Sequence, residues 1–286
     1  MDIYRTPDEA FEGLADFPFA PNYLEWDGLR THYLDEGPEG GPVALLLHGE
    51  PTWSYLYRKM IPPLLAAGYR CVAPDHIGFG RSDKVTDDKW YTIDGHIDRM
   101  GDFIERLDLQ DITVFMQDWG GPIGLINAVA MPERFSRLAI LNTWLHHDGF
   151  EYGAAIRAWR DAAVNRLWLA WMRHDLPVGV IVRRSAVRPV DDPAALEAAY
   201  EAPFAEDIAA KAGARQFPRC IPIDDPEVGA GGRQAAAFEA LKGWTKPVNI
   251  IFGADDPIFP PSWGEVWADM IPGATFDVVE QAGHFC

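Results

Sequence analysis

Three side chains that could do chemistry each follow a predicted strand. Asp118 lies in the segment M-Q-D-W-G-G at a strand-to-helix turn, Asp256 lies in the loop G-A-D-D-P after a later strand, and His284 follows the last strand. In open sheets of parallel strands, groups at the carboxyl ends of the strands meet at one crevice. We therefore expect the two carboxyl groups and the imidazole to form one site.

A carboxylate, an imidazole and a second carboxylate can together support a two-step displacement. A carboxylate is ionised at neutral pH, so Asp118 can attack a saturated carbon without the help of a base. The attack leaves an alkyl ester on Asp118, and His284, oriented by Asp256, can then activate a water that hydrolyses the ester. The oxyanion of that second step needs donors, and the backbone N–H groups of Glu50 and Trp119 are placed to supply them.

The chain order of nucleophile, acid and histidine is typical of the α/β-hydrolase fold. The usual nucleophile elbow of that fold is G-x-S-x-G, and Asp118 stands where the serine would be. None of the serines lies in such a segment; they are Ser54, Ser82, Ser136, Ser185 and Ser262. The sequence therefore disfavours a serine esterase.

Short apolar runs alternate with helical patterns on both sides of Asp118. Continuous apolar runs are typical of buried parallel strands, and strands that alternate with helices predict a mostly parallel sheet flanked by helices. The predicted strands are 42–47, 69–73, 113–117, 138–141, 248–252 and 274–279, and the predicted helices of this part are 55–65, 93–107 and 123–130.

The alternation stops between residues 143 and 238, where helical stretches such as 154–171 and 194–202 are separated by prolines. We expect residues 1–142 and 239–286 to form the α/β core domain and 143–238 to form an inserted helical cap domain. A cleft between two such lobes is a usual place for a small-molecule site.

Composition and charge narrow the classes of partner. With 48% hydrophobic residues and 11 tryptophans, the chain has the composition of a globular protein. The net charge of −18 argues against nucleic acid or an anionic membrane as a partner. The three cysteines are odd in number and widely spaced, and the acidic N-terminus lacks an apolar signal segment, so we expect a cytoplasmic protein without a disulfide framework or a metal. We also expect a monomer.

Several segments together resemble the haloalkane dehalogenases. These are H-G-E-P-T-W-S-Y-L-Y-R, D-H-I-G-F-G-R-S-D-K, Q-D-W-G-G and A-G-H-F, and the resemblance runs from about residue 20 to the end. It implies hydrolysis of a small halogenated alkane by water, with no cofactor. It also implies that Trp119 binds the leaving halide, with Trp171 of the cap as the second halide ligand and Trp168 as its rival, and that Pro218 lines the substrate cavity.

The same resemblance indicates a subfamily whose acid lies in the loop before the histidine strand. Counting from Gly253 places the family's acid on Asp256 and not on Asp255. Asn142 stands where other subfamilies place their acid, and its neutral amide supports Asp256 in that role. Relatives continue past the histidine with a helix, which would lie beyond Cys286.

Two other functions are compatible with parts of this pattern. An epoxide hydrolase uses the same Asp–His–Asp triad and activates the epoxide oxygen with tyrosines of the cap, for which Tyr152 and Tyr200 are available. Against this function, Glu50 replaces the aromatic residue that usually follows the H-G pair in those enzymes. A non-enzymatic binding module is possible on this fold, and in it Asp118 would only cap the following helix. Three matching catalytic segments favour the enzyme.

Overall fold

The computed structural model describes residues 1–204 and 207–285, apart from the side chains of Leu167, Trp171, Arg173 and His174. Its strands in that part of the chain are β1 (Ile3–Tyr4), β2 (Asn22–Trp26), β3 (Leu29–Glu36), β4 (Val43–Leu47), β5 (Arg70–Pro74), β6 (Lys84–Val85), β7 (Ile112–Gln117), β8 (Phe135–Leu141), β9 (Val248–Gly253) and β10 (Thr275–Val279).

The α-helices of the described residues connect these strands or form the cap. They are α1 (Ile61–Ala66), α2 (Ile93–Arg106), α3 (Gly120–Ala130), α4 (Ala154–Asp161), α5 (Leu167–His174), α6 (Val178–Arg184), α7 (Pro193–Glu201), α8 (Ala212–Gln216), α9 (Gly231–Leu241) and α10 (Pro261–Met270).

Eight strands form one sheet in the order β10-β9-β8-β7-β4-β5-β3-β2. The six strands from β10 to β5 are parallel to one another, whereas β3 and β2 are antiparallel additions at one edge. The predicted mostly parallel α/β-hydrolase sheet is confirmed. The strands β7, β8, β9 and β10 are neighbours, so the loops that follow them share one end of the sheet.

The middle strands are buried on both faces. Every residue of β4, V-A-L-L-L, is buried, and five of the six residues of β7 are buried. Such continuous apolar runs suit a parallel strand that helices cover on both sides. This rigid centre fixes the position of the loop that follows β7.

The edge strands β2 and β3 were not predicted from the sequence. They pair in register from Asn22 with Tyr33 to Trp26 with Leu29. Their turn is Asp27-Gly28, both with positive φ, 54° and 73°. An Asp-Gly pair between strands is a strong hairpin signal because Asp and Gly tolerate that conformation, but the polar residues of both strands hide the apolar pattern.

Helices α4 to α8 lie within residues 143–238, the segment that we expected to form the cap. The buried ammonium group of Lys211 ties the cap together, since it donates to Asp175, Glu201 and the carbonyl oxygen of Leu176. Helix α9 runs across the expected domain boundary at residue 238 and packs against α3. Among the described residues, no helix has the length and apolarity to span a membrane.

Candidate active site

Asp118 lies on a sharp turn between β7 and α3. Its φ is 53°, its backbone N–H donates to the Asn142 carbonyl at 2.9 Å, and its own carbonyl accepts from Thr143 Oγ1 at 2.5 Å. A Cβ on Gly120 would lie 2.2 Å from the carbonyl oxygen of Leu47, so α3 can start this close to β4 only with glycine there. Strained backbone of this kind is typical of a nucleophile elbow.

The loop after β4 supplies one of the two predicted backbone donors to Asp118. The backbone N–H of Glu50 donates to Asp118 Oδ1 at 2.8 Å. Among the hydrogen bonds of the described residues, no second backbone donor reaches this carboxylate, so the role of the Trp119 N–H stays a prediction. The Glu50 donor is where an oxyanion on Asp118 would need it.

The structure brings the two other predicted residues to Asp118. His284 Nε2 lies 3.7 Å from Asp118 Oδ2, and His284 Nδ1 lies 3.0 Å from Asp256 Oδ2. Asp256 also accepts from the backbone N–H of Ile258 at 2.7 Å and from the amide of Asn142 at 2.5 Å. The amide oxygen of Asn142 in turn accepts from a backbone N–H at 3.0 Å, which fixes its orientation.

The charges of the three groups are coupled. Burial by itself would lower the pKa of His284, but the carboxylates of Asp256 and Asp118 together outweigh burial and raise this pKa to about 10. Burial likewise would raise the pKa of Asp256, but the charge and hydrogen bond of His284 lower it. The resting site therefore favours an imidazolium between two carboxylates.

Removing the charge of Asp118 should lower the pKa of the His284 imidazole. We expect Asp118→Asn to lower the pKa of His284 by about 1–3 units, because one of two nearby negative charges is gone. The pKa is measured by NMR titration of the His284 ring. Asp102→Asn, at an exposed carboxylate on α2, is the control and should leave it unchanged. An unchanged His284 pKa in Asp118→Asn would contradict the coupling.

A cavity of about 160 Å³ lies between these residues and the cap. Its polar wall is formed by Asp118, His284, Glu50 and Ser185. The rest is apolar or aromatic: Pro51, Trp119, Trp144, Ile156, Trp159, Ile181, Ile221, Pro257, Ile258, Phe259 and Phe285. A nearly apolar pocket with a few convergent polar groups suits a small, uncharged organic substrate.

The cap residues predicted to line this cavity are placed as follows. The side chain of Trp171 lies outside the described residues. The ring of Trp168 is covered by the guanidinium of Arg219 at 4.3 Å and is not part of the described cavity wall. Pro218 is buried in a short 3₁₀ turn, and Ile221, not Pro218, forms the described wall there.

Two cavity tryptophans were missed by the sequence interpretation. Neither Trp159 of α4 nor Trp144 was singled out as a cavity residue, although both lie on the cavity wall and the ring of Trp144 lies 4.7 Å from that of Trp119. Trp144 follows the end of β8, and this position at the carboxyl end of a central strand is the signal that could have found it.

Glu50 also lines the cavity, and its carboxyl group is buried. Its Oε1 has no hydrogen-bond partner among the described residues. Burial, then the charge of Asp118, raises the pKa of Glu50 well above its ordinary value, so the neutral carboxyl form is favoured at the cavity.

The fold defines a member of the α/β-hydrolase class, with Asp118 at the sharp turn between β7 and α3. The family model for the alpha/beta hydrolase fold matches residues 42–167. A haloalkane dehalogenase of Mycobacterium marinum is 45% identical over 90% of this chain and 85% of its own. Another, of Psychrobacter cryohalolentis, is 41% identical over 100% of this chain and 93% of its own.

A solved structure agrees with these relatives. The tetrameric haloalkane dehalogenase of Paraglaciecola agarilytica NO2 superposes with a TM-score of 0.90 at 36% identity, covering 100% of this chain and 94% of that one. The chain belongs to the haloalkane dehalogenases, and it is a hydrolase that acts on carbon–halide bonds.

Proposed function

We propose that Asp118 carries out the dehalogenation as the nucleophile. Asp118 Oδ2 attacks the carbon that bears the halogen, a C–O bond forms as the C–halogen bond breaks, and the halide leaves with the bonding electrons. The observation that supports this role best is the position of Asp118, which lines the cavity with one oxygen held by Glu50 and the other facing His284.

In the second step His284 acts as the general base. Nε2 removes a proton from water as the water oxygen attacks Cγ of Asp118, and the tetrahedral oxyanion accepts from the Glu50 N–H. When this intermediate collapses, the bond between Cγ and the alkyl-bearing oxygen breaks, and the imidazolium returns its proton to that oxygen as the alcohol leaves. The remaining hydroxyl proton goes to solvent, which restores the carboxylate of Asp118. Asp256 keeps Nδ1 protonated and stabilises the imidazolium that forms.

Alkylation itself would prepare the base. The ester on Asp118 carries no charge, so one of the two influences that hold the His284 pKa near 10 disappears when the ester forms. The fraction of His284 in the neutral form then increases before the hydrolysis of the ester, which needs a neutral imidazole as the base. The first step needs no base, so the imidazolium of the resting site does not hinder it.

For the halide site we propose the indole N–H groups of Trp119 and of one cap tryptophan. An indole donates a hydrogen bond, has no acceptor and carries no charge, which suits a weakly basic anion that leaves without a proton. Trp159 of α4 lies on the described cavity wall, which supports this role for it. The prediction for Trp171 is tested beside it.

We expect Trp119→Phe and Trp159→Phe each to weaken chloride and bromide binding by about tenfold or more, the usual size of a hydrogen bond to a charged group. Binding is followed by quenching of tryptophan fluorescence. Trp168→Phe is the matched control, because that ring lies under Arg219. If Trp171→Phe weakens binding while Trp159→Phe does not, the second donor is Trp171.

A second experiment separates dehalogenation from epoxide hydrolysis. An opening epoxide needs a proton donor such as a tyrosine hydroxyl, but neither Tyr152 nor Tyr200 lies on the described cavity wall. The Tyr152 hydroxyl lies 3.1 Å from Nδ1 of His146 instead. Halide release from chlorinated and brominated alkanes, run beside an epoxide panel, tests the proposal, and epoxide turnover without halide release would contradict it.

We also infer a cytoplasmic monomer. The buried thiols of Cys71 and Cys220 are free, as is usual in a reducing compartment, and a net charge of −18 disfavours self-association. Light scattering during size-exclusion chromatography tests the monomer, and a tetramer like that of the Paraglaciecola enzyme would contradict it.

A further inference from the structure

The side chain immediately before the nucleophile contacts the catalytic base at two points. Gln117 ends β7 and is almost fully buried. Its amide nitrogen donates to the backbone carbonyl of His284 at 3.0 Å and lies 3.2 Å from His284 Nε2. The amide oxygen is buried and has no hydrogen-bond partner among the described residues.

The backbone carbonyl fixes which end of the amide faces the imidazole. A carbonyl oxygen can only accept, so the amide nitrogen of Gln117, and not its oxygen, must lie toward His284. That nitrogen carries two hydrogens, one for the carbonyl and one that faces Nε2. The reversed amide would set two oxygens against each other at about the same distance.

A donor that faces Nε2 distinguishes the protonation states of the ring. The interaction is favourable when Nε2 presents a lone pair, in the neutral form whose Nδ1–H donates to Asp256. It is unfavourable when Nε2 carries a proton, because two donors then face each other. The amide therefore favours the form of His284 that can act as a base.

We propose that Gln117 is a positioning residue for the second step, in which its amide holds the His284 ring and selects the neutral, Nδ1-protonated imidazole. It opposes the effect of the two carboxylates. In the alkyl-enzyme the charge of Asp118 is gone, and the Gln117 amide then helps to keep His284 neutral at a pH closer to the physiological value. The proposal rests on the proposed roles of Asp118 and His284.

The test compares Gln117→Met, which keeps the length of the side chain and removes the donor, with Gln117→Glu. The methionine variant should raise the apparent pKa of ester hydrolysis by about one unit, the size of one hydrogen bond. Below that pKa, hydrolysis becomes about tenfold slower. The glutamate variant should raise the pKa at least as much, since an acceptor or a negative charge beside Nε2 favours imidazolium.

Rapid mixing with a reactive bromoalkane separates the two steps. For the Gln117 variants we expect a burst of halide equal to the enzyme concentration and an alkylated peptide that contains Asp118. Their slow turnover should recover as the pH rises. Gln234→Met is the matched control, because the Gln234 amide is also buried and hydrogen-bonded but bridges two backbone groups, at Gly229 and His146, instead of facing an imidazole nitrogen. It should lower the melting temperature without moving the pH profile.

The outcomes are distinguishable. A burst with an unshifted pH profile in both Gln117 variants would overturn the positioning role and leave the proposed mechanism intact. No burst and no adduct, in the variants and in the unaltered enzyme, would overturn the mechanism and the positioning role together. If Gln117→Met does not fold, Gln117→Glu gives the same comparison, and an unshifted profile there overturns the proposal.

Discussion

Replacing Asp118 with alanine should abolish halide release while the protein stays folded. The carboxylate is the only group in the proposed mechanism that forms a bond to the substrate carbon. Loss of a nucleophile of this kind reduces turnover by roughly 10⁴-fold or more, which corresponds to at least about 5 kcal/mol of barrier. The measurement is halide release under single-turnover conditions, with circular dichroism to confirm the fold.

Asp255→Ala is the matched control for the Asp118 variant. Asp255 is an exposed carboxylate next to the proposed acid Asp256, so its removal changes the local charge without touching the described cavity wall. It should retain most of the activity. Turnover by Asp118→Ala within about tenfold of the unaltered enzyme, about 1.4 kcal/mol, would exclude Asp118 as the nucleophile.

Replacing His284 with glutamine should separate the two half-reactions. The first step needs no base, so the variant should still alkylate Asp118 and release one halide per active site. The second step loses its base and should slow by about 10²–10⁴-fold. Mass spectrometry of the peptide that contains Asp118 should show the added alkyl group, and alcohol should be almost absent.

A steady rate of alcohol formation in His284→Gln would show that another group activates the water. The variant His284→Phe checks this result, because phenylalanine has no polar atom that could hold or polarise water. Absence of any adduct with a reactive bromoalkane, in both variants, would show that the first step depends on His284, contrary to the mechanism.

Local patterns in the sequence were sufficient to identify the strands of the sheet and to single out the three residues that we propose as reacting groups. The apolar runs that became β4, β5, β7, β8, β9 and β10 are long enough to identify buried strands, and each reacting group follows one of them. Parallel strands present their carboxyl ends at one edge, so Asp118, Asp256 and His284 converge wherever the strands are recognised correctly.

The antiparallel strands β2 and β3 show the limit of such patterns. Their half-buried residues mix polar and apolar side chains, and only the Asp-Gly turn indicated the hairpin. The predicted helix 55–65 likewise differs from the structure, in which a 3₁₀ turn at Ser54–Tyr57 precedes the shorter helix α1. Boundaries depend on packing that short windows of sequence do not contain.

The sequence by itself determined the fold class, because buried strands are recognisable, and the enzyme family, through the resemblance of several segments. It also predicted the nucleophile, acid and base, because Asp118, Asp256 and His284 each follow a recognisable strand, and these three roles stay predictions. Only the tertiary structure decided which of the described tryptophans line the cavity and which side chain contacts Nε2 of His284. A helix rich in tryptophan has the same composition whichever face it turns inward, so Trp159 could not be separated from its neighbours. Gln117 and His284 are 167 residues apart, and their contact exists only because β7 ends beside the loop that carries the histidine.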